Sequence, residues 1–254
     1  MFLFQGSVFT INDFQKFDQA IKLLYESVSP NSFFYSDNVI TWARNFSFLE
    51  DRHFMRVIDR NAETNIEKGI IWRSYVLCYF ANIAKKLEGD FVEIGTYKGT
   101  TANIILDFCQ LNRRKEKNNR QYFLYDTFEH NDSDLNHSLP EHSPKLYEQV
   151  KNRFAKYDFV KVIKGYVPES FSQGFPENKI AFAHIDLNQA PAEVAALEAV
   201  LPKLSPNGIV VMDDYGWLKY RKQKVAEDPV FEKFGMSVLE LPTGQGIAIK
   251  PNQK

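Results

Sequence analysis

Two cysteines in 254 residues, Cys78 and Cys109, are too few for a disulfide framework, and without a C-x-x-C spacing they do not form a thiolate metal site. Both lie in apolar stretches and are expected to be buried thiols. No excess of either charge exists, since 31 Lys and Arg face 32 Asp and Glu for a net charge of −1. A protein that binds nucleic acid through its phosphates needs a basic face, and this balance argues against one. Apolar runs of the ~20 residues needed to span a bilayer are absent, and Met1-Phe2-Leu3-Phe4-Gln5-Gly6 lacks the basic and apolar regions of a signal peptide, so the expected location is cytoplasmic. What remains is 44% hydrophobic, 15% aromatic and 25% charged, the composition of a globular chain.

The texture changes near Gly89. Before it, Phe14, Phe17, Ile21, Leu24 and Tyr25 recur at helical spacing, as do Ile70, Ile71, Tyr75, Val76, Phe80 and Ile83. Residues 1–88 are therefore expected to form a helical extension or lid, with an irregular aromatic stretch from Pro30 to Phe54. After it, short β-rich runs alternate with amphipathic segments, the mark of βαβ units. The expected strands are Phe91–Ile94, Tyr122–Tyr125, Val160–Ile163, Ile180–Leu187, Ile209–Met212, Ser237–Leu241 and Gly246–Lys250. Pro242–Gln245 is too short for a helical crossover, so the last two runs must form an antiparallel hairpin. The fold class is then α/β, a Rossmann-like seven-stranded sheet over residues 89–254 with the connectivity of a class I methyltransferase. A dinucleotide-binding domain would keep its sixth strand parallel.

Glu93-Ile-Gly95-Thr-Tyr-Lys-Gly99-Thr100 follows the first of these strands and opens a helix. Glycines there let a ligand approach the backbone, and the helix start offers free N–H groups. It lacks the G-x-G-x-x-G and G-K-[ST] patterns of pyrophosphate sites, and its form resembles the turn that holds S-adenosylmethionine (SAM). An ordinary βα turn would use the same glycines. Asp126 ends the second strand, where a carboxylate can accept both hydroxyls of a ribose, or cap the next segment. Gly165-Tyr166 follows the third strand at the expected adenine end. The candidate cofactor set is Glu93, Gly95, Gly99, Thr100, Asp126, Gly165, Tyr166 and Asp186.

Asp186 ends the fourth strand, and Asp213-Asp214 end the fifth. Neighbouring strands bring these like charges together, and a divalent cation with oxygen ligands, Mg²⁺ first, is the usual remedy. Helix capping by Asp214 is the alternative. Four stretches together resemble the macrocin and mycinamicin sugar O-methyltransferase family over Gly89–Lys250. They are Gly89–Gly99, Asp126–Glu129, Gly165–Ser170, and Leu201–Gly208 leading to Asp213-Asp214-Tyr215. The resemblance implies SAM and Mg²⁺, a small hydroxyl acceptor such as a sugar, metal ligation by Asp186, Asp213 and Asp214, and a possible homo-oligomer. The family's D-G-D-x-Y-E-S is here Asp186-Leu187-Asn188-Gln189-Ala190-Pro191-Ala192, and the segment from Glu129 to Tyr147 is shorter, which weakens the inference to a macrolide sugar.

Transfer to an alcohol benefits from a base. His130, His137 and His142 follow the second strand; His137 is the expected base and His142 the second choice. His184 reads as a sheet residue, and Arg73 as a possible cofactor contact. A non-catalytic SAM-binding or assembly protein and an NAD-type oxidoreductase are the competing readings.

Overall fold

The computed structural model describes residues 2–3, 10–29, 31–111, 120–131, 139–177 and 179–252. The chain divides into two compact units, Met1–Tyr75 and Val76–Lys254.

The first unit is less helical than its periodicity suggests. Strand β1 (Phe2–Leu3) and helix α1 (Phe14–Ser27) precede a hairpin of β2 (Phe33–Ser36) and β3 (Val39–Trp42), in a three-stranded sheet ordered β1-β2-β3. Asp37 and Asn38, at φ 50° and 58°, make the two-residue turn, a conformation that their short polar side chains tolerate. Helices α2 (Arg52–Asn61) and α3 (Asn65–Gly69) follow, the latter capped reciprocally by Thr64 and Glu67. Helix α4 (Ile71–Ala84) carries the chain into the second unit. Phe34, fully buried, meets Trp72 edge-on at 4.9 Å, so the aromatic stretch is core. Arg73 is held by Asp37 at 2.6 and 3.1 Å, a buried bidentate ion pair.

The second unit is built on a seven-stranded sheet. Its strands are β4 (Asp90–Ile94), β5 (Tyr122–Asp126), β6 (Val160–Lys164), β7 (Ile180–Ile185), β8 (Leu204–Met212), β9 (Val238–Glu240) and β10 (Gly246–Ile249). The order is β6-β5-β4-β7-β8-β10-β9, with β10 antiparallel to both neighbours and the other pairs parallel. Every expected strand is present, and the hairpin sits where its short turn requires. The crossovers carry α5 (Thr100–Cys109), α6 (Pro144–Phe154) and α7 (Ala190–Lys203); α8 (Arg221–Lys233) precedes the hairpin.

Both faces of the sheet are covered, as a parallel sheet requires. Phe91, Tyr122 and Phe182 pack with residues of α4, α5 and α6 on one face, while Val92, Tyr125 and Ile185 pack with α7 and α8 on the other. The alternation along each strand sorts the side chains. Both cysteines are buried thiols, as expected. The strand order reverses direction between β4 and β7, and at such a switch point the crossovers diverge and leave a crevice at the carboxyl ends of the strands. Among the described residues no helix is long and apolar enough to cross a membrane.

Candidate active site

A cleft opens at that edge. Gly95 after β4, Asp126 at the end of β5, Gly165 and Tyr166 after β6 and Asp186 after β7 line it, together with Tyr97, Glu129, His142, Asn188 and Gln189. Five of the eight residues expected to hold the cofactor are thus brought together. Glu93, Gly99 and Thr100 are not in the lining.

The turn after β4 is set by packing from below. Gly95 and Thr96 donate their N–H groups to the Tyr125 carbonyl at 2.9 and 3.0 Å, and Gly95 takes φ 97°. A Cβ on Gly95 would lie 1.8 Å from the Asp186 carbonyl oxygen, so the glycine is needed first for the approach of two backbones. At Gly99 a Cβ would lie 2.6 Å from the Phe154 ring, which makes this glycine a contact between α5 and α6. Thr100 is buried and accepts from Arg153 Nη1 at 3.4 Å.

Asp126 is bonded through both carboxylate oxygens. Its Oδ2 accepts the Tyr97 N–H at 2.7 Å, and its Oδ1 accepts the Phe128 N–H at 2.8 Å and meets His142 Nε2 at 3.0 Å. His130 is exposed. His137 lies outside the described residues.

Glu93 sits on the α4–α6 side of the sheet, 1% exposed, paired in register with His184. It accepts from Tyr122 Oη at 3.2 Å, stands 3.4 Å from His184 Nδ1, and keeps Oε1 buried without a hydrogen-bond partner. His184 Nε2 is 3.6 Å from Asp213 Oδ1. Burial opposes a charge on His184, but bonds to Asp213 and Glu93 outweigh it and raise the imidazole to about 10. The sequence pattern placed His184 in the strand and missed this bridge, because nothing in a linear pattern says which carboxylates flank a buried imidazole.

His184, Asp186 and Asp213 can each direct one donor atom into a group within 4.8 Å of one another. Asp214 is buried beside them but is not part of that group, and its carbonyl accepts the Trp217 N–H at 3.1 Å. Gln245, fully buried in the β9–β10 turn, donates to Asp213 Oδ1 at 3.0 Å. Behind the cleft, Glu193 of α7 accepts the Leu187 N–H at 2.9 Å and the Gln223 amide at 2.8 Å.

Comparison with known proteins agrees with this geometry. Residues 92–215 match the family model described as a methyltransferase domain. The chain is a class I, SAM-dependent methyltransferase. In sequence this methyltransferase is 27% identical, over 183 residues, to the 8-demethyl-8-(2,3-dimethoxy-alpha-L-rhamnosyl)-tetracenomycin-C 4'-O-methyltransferase of Streptomyces olivaceus, covering 63% of this chain and 69% of that one. Its fold is shared with CalS11, a TDP-rhamnose 3'-O-methyltransferase of calicheamicin biosynthesis, at TM-score 0.55 and 18% identity over 95% and 96% of the two chains. The S-adenosylhomocysteine (SAH)-bound methyltransferase PaMTH1 of Podospora anserina matches at TM-score 0.51 and 16% identity, over 98% of this chain and 100% of that one.

Proposed function

We propose that this methyltransferase methylates a hydroxyl of a sugar or related small metabolite, with a Mg²⁺ ion at the acidic edge of the cleft. The observation that carries the reading is the convergence of Gly95, Asp126 and Asp186 on one cleft at the switch point of the sheet. In this proposal Asp126 receives the ribose of SAM, Gly165 and Tyr166 border the adenine, and the turn after Gly95 receives the methionine end. Two relatives described as acting on rhamnose-type sugars support the choice of a sugar hydroxyl. The kinship with the macrocin and mycinamicin type rests on the motifs quoted above.

The residues present fit a divalent cation. Asp186 and Asp213 bring hard oxygen donors together at the ends of adjacent strands, with Asp214 next to them. His184, held between Glu93 and Asp213, serves as counter-charge rather than ligand. Such an ion would lower the pKa of an acceptor hydroxyl. SAM, when bound, supplies a methyl group on a positively charged sulfur. With SAM held there, a carbon–oxygen bond would form as its carbon–sulfur bond broke, and the hydroxyl proton would pass to a base. The chain's own task is alignment of oxygen, carbon and sulfur, and Asp126 and the Gly95 turn fix one end of that line. Asn188 stands where the macrocin type carries a second acid and donates to Asp186 Oδ1 at 3.4 Å, so this edge is less negative and its acceptor differs from that of the pattern.

The test is incubation with methyl-labelled SAM and a panel of TDP-deoxysugars and rhamnosides, with Mg²⁺ or with EDTA. Label in an alkali-stable ether, lost with EDTA, is expected. Transfer to amines alone, or SAH binding with no transfer to any hydroxyl, would overturn the proposal.

A further inference from the structure

We infer that His142 positions Asp126 for the ribose of the cofactor and is not the proton acceptor for the methylated hydroxyl. The inference rests on the reading that Asp126 meets that ribose.

The tautomer follows from the neighbours. His142 Nδ1 lies 2.8 Å from the Leu139 amide nitrogen, which can only donate, and farther, at 3.3 Å, from the Leu139 carbonyl oxygen, which already accepts the His142 backbone N–H at 3.0 Å. Nδ1 therefore presents its lone pair, and the ring proton sits on Nε2, which donates to Asp126 Oδ1 at 3.0 Å. A base must offer a free lone pair to the proton that it removes. In His142 one nitrogen is spent on the backbone and the other carries the proton given to Asp126.

The ring is itself held from three sides. It packs against Tyr97 with centroids 5.1 Å apart, and it is 7% exposed. On one side Glu141 accepts from the Tyr97 hydroxyl and from Lys98 Nζ, the latter at 2.8 Å, which fastens this stretch to the turn after β4. On the other side Ser143 caps α6 by accepting the Leu146 N–H at 3.3 Å. A side chain so fixed makes a rigid donor. With the Tyr97 and Phe128 amides it occupies three of the roughly four acceptor positions of Asp126 and leaves capacity on Oδ2 for a ribose hydroxyl. Without His142 the carboxylate loses one of the bonds that orient it, and ribose recognition suffers.

The experiment is calorimetric titration with SAH, which needs no acceptor, of the full chain and of Asp126→Ala, His142→Ala, His142→Gln and His142→Asn, with a thermal melt of each. Gln can place an amide N–H near the position of Nε2, whereas Asn reaches only the position of Nδ1. Asp126→Ala should weaken SAH strongly. His142→Ala and His142→Asn should weaken it about tenfold, the scale of one charge-assisted hydrogen bond, and His142→Gln should recover most of the loss at unchanged melting temperature. Equal affinity in Gln and Asn variants, or wild-type affinity in both, would overturn the positioning role, and these two variants answer the question even where His142→Ala fails to fold. Unchanged affinity in Asp126→Ala would overturn the placement of the ribose instead.

Discussion

The side-chain amide of Gln245 donates to Asp213 Oδ1 at 3.0 Å, and its carbonyl accepts from Thr243 Oγ1 at 3.1 Å. The hydroxyl fixes which way the amide points, and the amide fixes the carboxylate. The turn that carries both is locked to the loop after β8, because the Gly216 N–H bonds the Gly244 carbonyl at 2.7 Å and a Cβ on Gly244 would lie 2.1 Å from Trp217. A hairpin remote in sequence thus aims the candidate metal ligand.

If Asp213 binds Mg²⁺, then Gln245→Met, which removes the donor while keeping the volume and adding no charge, should weaken Mg²⁺ at least about tenfold, the usual cost of losing a partner that orients a ligand. Calorimetry with Mg²⁺ in the presence of SAH measures it. A wild-type chain that does not bind the ion, with melting and activity indifferent to EDTA, would make the cluster an internal ion-pair arrangement instead.

Gly95 and Gly235 both have positive φ, 97° and 65°, but differ in surroundings: a Cβ at Gly95 meets backbone at 1.8 Å, and one at Gly235 meets nothing within 4 Å. Gly235→Ala should cost about 1 kcal/mol, the conformational term alone. Gly95→Ala should cost more than about 4 kcal/mol or prevent folding, because strand β4 and the chain after β7 would have to part. Denaturant melts of the two variants separate crowding from conformation. Similar losses would show that the space near Asp186 yields.

These contrasts mark how far the sequence could be read. The seven strands of the second unit were legible because apolar runs, glycine turns and the short Pro242–Gln245 link each constrain local structure, and Asp126 and Asp186 followed from standing at strand ends. The β2–β3 hairpin was not, since Phe33–Ser36 is buried throughout and shows no alternation, although Asp37-Asn38 was an available turn signal. Glu93 was read as facing the cofactor because it stands in the motif. Its register with His184 on the α4–α6 face depends on strand pairing, which no motif encodes. The roles of His142, Gln245 and Glu193 likewise arise from contacts between distant segments.

A pH dependence follows from Glu193 and Glu227, both buried where α7 meets α8. Burial raises Glu227 to about 7, helped by Asp228 and opposed by its bond to Glu193 and by Lys224. Burial, then Glu227, Asp214 and Asp186, raise Glu193 as well, against its bond from the Leu187 N–H. An unfolded glutamate loses its proton near ~4.3. Between that value and about 7 the native state therefore holds a proton that the unfolded chain has released, and stability falls as pH rises through this window. Glu227→Gln should match the wild type at about pH 4 and melt about 2–6 °C higher at pH 8. Parallel melting curves across that range would show that the pair carries no proton at neutrality.

The last question is where the acceptor proton goes. An alcohol is a poor nucleophile at neutral pH, and a general base is worth about 10²- to 10⁴-fold. His142 has both nitrogens engaged, His184 is held between two carboxylates away from the cleft lining, and His130 is exposed. His137, chosen from the sequence, remains the proposed base. With an acceptor from the sugar panel, His137→Ala should lower kcat by about 10²-fold or more and keep the SAH affinity. His137→Gln should fail to restore activity, because it supplies a donor but no titrating lone pair. A loss below about threefold in both would overturn this assignment and leave water as the proton acceptor.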